Sequence, residues 1–276
     1  MSTACETAYA KINLALHVRR RDADGYHTIE TLFAFAEDGD RLWLTDRPGL
    51  AIEGPFAVGL DDADNLVLRA AQGFVALTGQ GGEMGFVLEK NLPIASGIGG
   101  GSADAAAALR LLCHRFGRAL DDPGIQDLAA KLGADVPACL RSRPMRGEGR
   151  GDRLIPVAGL PESMPLLLVN PRQPLATGPV FAGWDGVDRG ALGHGDPLTV
   201  ARNGRNDLET SASTQMPVIA DILRLLADQA GVSLVRMSGS GATCFALFDQ
   251  AAARDAAARA IEALHPGWWQ MPSRLR

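Results

Sequence analysis

The stretch Lys90–Leu112, KNLPIASGIGGGSADAAAALRLL, reads as a short strand end, a glycine-rich bend and an alanine-rich helix. Four of the five residues 97–101 are glycine, so the backbone can adopt unusual φ values and a ligand can approach it closely. Strong helix formers run from Ala103 to Leu112, so the amides of the bend and the positive end of a helix dipole converge. This arrangement predicts an anion site that suits a phosphate.

Two common phosphate-binding loops do not fit this stretch. The dinucleotide fingerprint G-x-G-x-x-G fails because Ser102 stands three residues after Gly99. The Walker A loop fails because the sequence contains no Gly-Lys pair. The structural alternative is an ordinary strand-to-helix turn with Ser102 as the helix cap, but four glycines running into a helix favour the phosphate loop.

Composition and charge indicate an ordinary globular protein. The 276 residues are 46% hydrophobic and 21% charged, which is enough for one large or two medium domains. Uncharged apolar runs such as 163–171 are far too short to span a membrane, and we expect no export signal. A net charge of −5 without a basic tract argues against a nucleic-acid partner.

Cysteine usage predicts a cytoplasmic protein. The four cysteines form no C-x-x-C pair and lie mostly in apolar surroundings, which suits reduced thiols and argues against metal ligation by them. They are Cys5, Cys113, Cys139 and Cys244.

Residues 8–18, AYAKINLALHV, alternate in character and predict a half-buried strand. The period of two places Lys11 and Asn13 on the same side. There the ammonium could neutralise developing charge and the amide could hydrogen-bond a ligand. The alternative, a solvated outer face, fits the alternation equally well.

Asp135 stands in the segment GADVPACL, between Gly133 and Pro137 and beside apolar residues. A lone carboxylate in such surroundings is costly unless it has a partner or a task. The structural alternative is a cap for a short helix beginning at Pro137, and this role is compatible with catalysis.

Residues 93–103 resemble the central motif of the GHMP kinase family, written approximately P-x3-G-[LI]-G-[SG]-[SG]-[SA]-A. Stretches 8–17 and 236–243 resemble two further family motifs in family order, so the resemblance covers nearly the whole chain. It implies an α+β, two-domain GHMP-kinase fold. The N-terminal, ATP-binding domain (1–155) would be ribosomal protein S5 domain 2-like, and the C-terminal, substrate-side domain (156–276) ferredoxin-like.

The resemblance also implies the ATP site and the catalytic pair. Asp135 would be the general base, and Lys11 would stabilise the alkoxide and keep that carboxylate ionised. Mg²⁺ would assist, with Ser102 as a protein contact, because the usual second serine is Ala103 here. The implied ATP-binding residues are Asn65, Lys90, Pro93, Ile94, Ala95, Ser96, Gly97, Ile98, Gly99, Gly100, Gly101, Ser102 and Ala103. For Asn65, which matches a position near adenine, a simple helix cap is the alternative.

One branch of the family, which the triple glycine and the segment D-G-Y-H resemble, acts on a cytidine-diphosphate-linked methylerythritol. Tyr26, His27 and Phe181 would hold the cytidine, and Asn13 would also contact the substrate. The alternatives are a surface-loop histidine for His27 and a core anchor for Phe181. The implied reaction is ATP-dependent phosphorylation of the C2 hydroxyl by a monomer or weak homodimer, on the route to isopentenyl diphosphate.

Two other functions remain open. Another GHMP kinase, for homoserine, mevalonate or a sugar, would share the phosphate apparatus but would not need the aromatic groups. A non-catalytic nucleotide-binding regulator would keep the glycine loop alone, and the presence of both Lys11 and Asp135 disfavours it.

Local patterns predict the remaining elements. Strands are expected at 31–36, 41–45, 166–169, 234–237 and 244–248, with Gly39 in a turn and 146–153 as a connection. Helices are expected from Asp64 or Asn65 to Leu77, from Ser102 to near Gly117, from Asp121 or Asp122 to Gly133, and over 218–230 and 251–264. For the loop 183–205 and the tail 265–276 the sequence is uninformative.

Overall fold

The computed structural model describes residues 4–60, 65–82 and 84–276. The chain folds into two compact units that are interleaved along the sequence. Unit 1 comprises Met1–Ala10, Asp38–Ile94 and Gly99–Ser142, and unit 2 comprises Lys11–Glu37, Ala95–Ile98 and Arg143–Arg276. The sequence predicted a single division near residue 155, and that division stays a prediction.

The described elements mix strands and helices, which confirms the α+β class. The strands are β1 (Cys5–Arg21), β2 (His27–Thr45), β3 (Gly49–Glu53), β4 (Gly85–Glu89), β5 (Met145–Gly149), β6 (Arg153–Pro156), β7 (Pro165–Asn170), β8 (Val232–Met237), β9 (Cys244–Phe248) and β10 (Trp269–Arg274). The helices are α1 (Leu66–Thr78), α2 (Gly100–Phe116), α3 (Pro123–Leu132), α4 (Val136–Arg141), α5 (Thr177–Ala182), α6 (Pro197–Asn203), α7 (Glu209–Gln215), α8 (Val218–Ala227) and α9 (Ala251–Leu264). No helix within the described ranges is long and apolar enough to cross a bilayer.

In unit 1 the C-terminal part of β2 pairs antiparallel with β4, which pairs in parallel with β3. Helix α2 packs against α1 and α4. Its residues 105–108, all alanine, are fully buried. Small side chains let neighbouring elements approach this helix closely.

In unit 2 the N-terminal part of β2 pairs with β5, and β5 pairs with β6. The second sheet has the order β10-β7-β9-β8, with antiparallel neighbours throughout. Helices α8 and α9 pack against this sheet. Buried residues on these elements form its core, including Ile222, Phe248 and Ile261.

The prediction of a half-buried β1 is wrong. Residues 10–18 are buried on both faces of the strand. Lys11, Asn13 and His17 are only 3%, 2% and 3% exposed. Polar partners make this possible, because buried polar groups need hydrogen bonds.

Two turn or connection predictions are also wrong. Gly39 lies inside the continuous strand β2, where a Cβ atom would lie 2.0 Å from the carbonyl oxygen of Ala8. Glycine is needed there for a close backbone approach. Residues 146–153 lie largely in the β5–β6 hairpin, whose turn follows Gly149.

Several element bounds differ from the prediction. Helix α2 begins at Gly100, and Ser102 does not cap it. Helix α8 ends at Ala227, three residues early. The uninformative loop contains α6, and the tail contains β10.

The remaining local predictions are confirmed closely. Gly79 and Gly117 adopt the left-handed conformation at the C-termini of α1 and α2. Asp122 caps α3 through its side chain. The alternative α1 cap, Asp64, lies outside the described residues.

Candidate active site

The first half of the glycine loop, residues 95–98 of unit 2, is joined by hydrogen bonds to the other two motifs. The Ser238 hydroxyl donates to the Gly97 carbonyl at 2.9 Å. The backbone N–H of Thr243 donates to the Ser96 carbonyl at 3.1 Å. The N–H of Lys11 donates to the Ile98 carbonyl at 2.9 Å. The third motif, residues 236–243, therefore lies against the first half of the glycine loop.

Close packing explains the small residues at this junction. Gly97 has φ 76°, and a Cβ atom there would lie 2.4 Å from the Ser238 carbonyl oxygen. Ala95 adopts φ 50°, which is uncommon for a residue with a side chain and occurs preferentially at functional sites. The backbone of this half-loop is thus held in a specific, partly strained shape.

The second half of the loop, in unit 1, leads into helix α2. Gly99 is the N-cap with φ 67°, and its carbonyl accepts the N–H of Ala103 at 2.8 Å. No side chain caps this 17-residue helix, so its first-turn amides suit an anion. A Cβ atom on Gly133 would lie 3.9 Å from Ser102 Oγ, so that hydroxyl lies near the segment leading to Asp135.

Asp135 occupies the N-cap position of α4, as the structural alternative predicted, but its side chain makes no capping hydrogen bond. Its carbonyl accepts the N–H of Cys139 at 3.0 Å. The carboxyl group is half-buried. The Asp135 side chain therefore does not cap the helix, and its role as general base stays a prediction.

The side chain of Lys11 is held by neighbours within unit 2. Its Nζ donates to Asn13 Oδ1 at 2.9 Å and lies 5.3 Å from the centre of the Phe33 ring. Asn13 Nδ2 in turn donates to Thr31 Oγ1 at 2.8 Å. The prediction that Lys11 and Asn13 share one side is confirmed, and Thr31 is an orienting residue that sequence reasoning missed. Lys11 lies in unit 2 and Asp135 in unit 1, and their joint catalysis stays a prediction.

His27 and Phe181 lie together in unit 2. Their ring centroids are 5.2 Å apart, and the Trp184 ring lies 5.7 Å from His27. His27 is 8% exposed, so the surface-loop alternative is wrong. Burial, followed by the charge of Arg21, lowers the pKa of His27, so its neutral form is favoured. Phe181 also packs against the core, as its alternative predicted.

Tyr26 presents an exposed ring, with 61% of the residue accessible. The Arg150 guanidinium lies 4.1 Å from the centre of this ring and also pairs with Asp24. The turn of the β5–β6 hairpin carries this arginine. Sequence reasoning missed it because it predicted an irregular connection there.

Lys90 lies in a buried ion cluster within unit 1. Its Nζ donates to Asp104 Oδ2 at 2.7 Å and also to Asp40 Oδ2. Burial lowers the pKa of Lys90, but the carboxylates of Asp104 and Asp40 outweigh it and the net shift is upward. Burial raises the pKa of Asp104, and the charge of Lys90 opposes that rise. The role of Lys90 near adenine stays a prediction.

Asn65 caps helix α1, because its side-chain oxygen accepts the N–H of Val67 at 2.9 Å. The cap alternative is thus confirmed, and the nucleotide contact stays a prediction. The segment 206–209, NDLE, has a structural role. Asn206 Nδ2 donates to the carbonyls of Met237 and Gly239, both at 2.8 Å, and so supports the third motif.

Comparisons with known proteins agree with this geometry. The family model described as "GHMP kinases N terminal domain" matches residues 65–143, and "GHMP kinases C terminal" matches residues 189–266. A 4-diphosphocytidyl-2-C-methyl-D-erythritol kinase of Rhizorhabdus wittichii is 60% identical over 277 residues, covering 98% of this chain and 94% of the relative.

Solved structures resemble the chain over nearly its whole length. A crystal structure of 4-(cytidine 5'-diphospho)-2C-methyl-D-erythritol kinase matches with a TM-score of 0.80 and 33% identity, covering 99% of both chains. A homoserine kinase from Cytophaga hutchinsonii matches with a TM-score of 0.67 and 16% identity, covering 96% of this chain and 95% of the other, and shows the fold alone. The chain therefore belongs to the GHMP kinase family and, within it, to the family of 4-diphosphocytidyl-2-C-methyl-D-erythritol kinases.

Proposed function

We propose that this chain transfers the γ-phosphoryl group of ATP to the C2 hydroxyl of 4-diphosphocytidyl-2-C-methyl-D-erythritol, in the methylerythritol phosphate route to isopentenyl diphosphate. The observation that carries the proposal is the 60% identity to a relative of that name over nearly the full length of both chains. The ring cluster of His27, Phe181 and Trp184 supports it, because a cytidine base needs aromatic and hydrogen-bonding groups.

The glycine loop would bind the triphosphate through its backbone. Amides at the uncapped start of α2 and the positive end of the helix dipole favour the negative phosphate oxygens. Phosphoryl transfer depends mainly on such positioning and charge neutralisation. The hydrogen bonds of Ser238 and Thr243 to the loop carbonyls would keep it in the binding shape.

Asp135 would accept the proton of the C2 hydroxyl as that oxygen bonds to the γ-phosphorus and the bond to the ADP oxygen breaks. Lys11 would stabilise the negative charge that develops on the attacking oxygen. Its hydrogen bond to Asn13 and its position over Phe33 support this role, because they orient the ammonium in a buried site.

Mg²⁺ would neutralise charge on the β- and γ-phosphates. The hydroxyl of Ser102 is a hard oxygen donor of the type this ion prefers. Among the described residues no group of three or more His, Cys, Asp or Glu side chains could enclose a metal. Ser102 fits a magnesium ion that is held mainly by phosphate oxygens and water.

Tyr26, His27 and Phe181 would hold the cytidine, with Asn13 near the acceptor alcohol. The exposed Tyr26 ring supports a stacking contact, and the neutral form of His27 supports a hydrogen bond to the base edge. We further propose a monomer or weak homodimer that acts in the cytoplasm and not on nucleic acid. Three buried thiols and a net charge of −5 support these last points.

The proposal is tested by incubating the chain with ATP and each candidate alcohol and recording phosphorus NMR spectra. We expect a new phosphate monoester on the methylerythritol moiety of the cytidylyl substrate, and none with homoserine, mevalonate or galactose. A monoester on one of the other alcohols instead would replace the proposal with a different GHMP kinase.

A catalytic variant tests the role of Asp135. Asp135→Asn keeps the size of the side chain and removes its basicity, so kcat should fall by about 10²–10⁴-fold. Binding of cytidine diphosphate, measured by calorimetry, should be retained. Unchanged phosphate transfer in this variant would exclude Asp135 as the base.

A further inference from the structure

The buried ion cluster of Asp40, Lys90 and Asp104, here called the loop brace, has no part in the reaction proposed above. The three residues are 0%, 3% and 3% exposed. Lys90 Nζ donates to a carboxylate oxygen of each aspartate. Such a cluster must be useful or well compensated, because removing charges from water is expensive.

The brace joins both ends of the glycine loop to strand β2. Lys90 precedes the segment 91–94 that leads into the loop, and Asp104 stands in α2 just after it. Asp40 belongs to β2, and its Oδ1 accepts the backbone N–H groups of Asn91 and Leu92 at 2.6 and 2.7 Å. One carboxylate therefore fixes the backbone entering the loop and, through Lys90, the helix leaving it.

Gly100 shows that the brace lies directly against the loop. Its φ is not in the left-handed region, so backbone conformation does not explain the glycine. A Cβ atom at this position would lie 3.1 Å from Lys90 Nζ and 3.8 Å from Asp40 Oδ2. At Gly101 a Cβ atom would meet only Leu66 at 3.5 Å, an ordinary contact.

We propose that Asp40, Lys90 and Asp104 are positioning residues that set the geometry of the ATP-binding amides, and that Lys90 acts through the loop instead of contacting the nucleotide. This inference rests on the proposed function, because it assumes that the loop binds ATP. The backbone at residues 91 and 92 is held by Asp40, and α2 is held by Asp104, directly after its first turn. Releasing either end would let the amides move relative to the phosphates.

The test measures binding of a non-hydrolysable ATP analogue by calorimetry in folded variants. Asp104→Ala should raise its dissociation constant by about tenfold to a hundredfold, since small misplacements of binding groups have effects of this size. Asp104→Asn retains an oxygen for Lys90 Nζ and should recover much of the loss. Circular dichroism checks folding, and Asp127→Asn, an exposed change on α3, is the matched control expected to bind as the parent does.

A double variant separates positioning from direct contact. If the brace acts as a unit, Lys90→Met combined with Asp104→Ala should bind no more weakly than the weaker single variant. If Lys90 instead contacts the nucleotide, Lys90→Met alone should lose affinity while Asp104→Ala stays within about twofold of the parent. That result would overturn the inference.

If the Asp104 variants do not fold, a variant that changes no charged residue can test the inference. Gly100→Ala places a methyl group against Lys90 Nζ, so it should also weaken binding of the analogue. Unchanged affinity in Gly100→Ala would also overturn the inference. If the parent protein binds the analogue but phosphorylates no cytidylyl substrate, the proposed function is wrong. The binding measurements would still test the role of the loop brace.

Discussion

Two buried lysines stand beside the motifs of this chain, and their surroundings differ. Lys90 in unit 1 donates to the carboxylates of Asp40 and Asp104. Lys11 in unit 2 donates to the amide oxygen of Asn13 and lies over the ring of Phe33. Both residues are 3% exposed, so burial alone does not distinguish them.

The chemistry of these partners suggests different tasks. Two carboxylates neutralise an ammonium, so the ion pairs of Lys90 serve to hold the backbone around it. An amide oxygen and a ring orient the ammonium of Lys11, and in the proposed reaction this ammonium would act on a developing anion. We therefore expect Lys11 to affect catalysis most and Lys90 to affect stability and loop geometry most.

The largest effect is expected for Lys11→Met, which keeps a long side chain over Phe33 and removes the charge. Loss of one group that stabilises transition-state charge should lower kcat by about 10²–10³-fold. Steady-state assays with ATP and the cytidylyl substrate measure it. The lost hydrogen bond to Asn13 should cost only about 1 kcal/mol of stability. Activity within threefold of the parent (roughly 0.7 kcal/mol) would end the distinction between the two lysines.

The corresponding change in unit 1 is Lys90→Met, and its main effect should be on folding. It leaves Asp40 and Asp104 buried without their cation, which should lower the free energy of unfolding by about 3 kcal/mol. Urea denaturation measures this loss. Adding Asp104→Asn removes one of the two facing carboxylates and should recover part of it. A further loss on adding Asp104→Asn would contradict the idea of mutual compensation.

Features with strong local signals could be predicted from the sequence. The glycine bend, the helices that follow it and the three motifs depend on glycine conformation, helix propensity and spacing, all of which are local. Long-range contacts could not be predicted. Asp40 reads as an ordinary polar residue after Gly39, yet it accepts two backbone N–H groups some 50 positions away.

The two largest errors of fold have the same origin. Alternation along β1 predicted one solvent-exposed face. Other segments pack on the strand and bury both faces, as at His17. Gly39 and the glycines of 146–153 suggested irregular chain, whereas in β2 and β5 they permit close approach of neighbouring atoms, such as Phe33 against Gly147. Glycine marks both turns and tight packing, and only the tertiary structure distinguishes them.

A smaller effect concerns an exposed cation, Arg150, which lies over the Tyr26 ring. If the other face of that ring stacks on cytosine, Arg150→Ala should raise KM for the cytidylyl substrate about threefold to fivefold, as exposed cation–π contacts contribute less than about 1 kcal/mol. KM for ATP should not change. Arg153→Ala, on the same hairpin and pairing with Glu148, is the control. An equal rise of both KM values would instead indicate a general loss of structure.

The smallest expected effect concerns His17, which lies on the same side of β1 as Lys11. Its Nδ1–H donates to the Gly190 carbonyl, and its Nε2 accepts the N–H of Arg205, so the neutral form is needed. Burial, followed by the charge of Arg205, lowers the pKa of His17 below 6.5. Between that lowered pKa and about 6.5 this histidine binds more protons in the unfolded chain than in the folded one, so its contribution to the free energy of unfolding should fall as pH decreases below about 6.5.

This pH dependence can be assigned with two glutamine variants. His17→Gln cannot titrate and should reduce the slope of unfolding free energy between about pH 6.5 and pH 5, by less than about 1.4 kcal/mol per pH unit. His27, whose pKa is also lowered, contributes a slope of the same sign, whereas the raised pKa of Asp104 contributes a slope of the opposite sign. His27→Gln should reduce the slope in the same way. If His17→Gln leaves the slope unchanged, the polar side of β1 is exposed to solvent, and Lys11 would then act as an exposed charge.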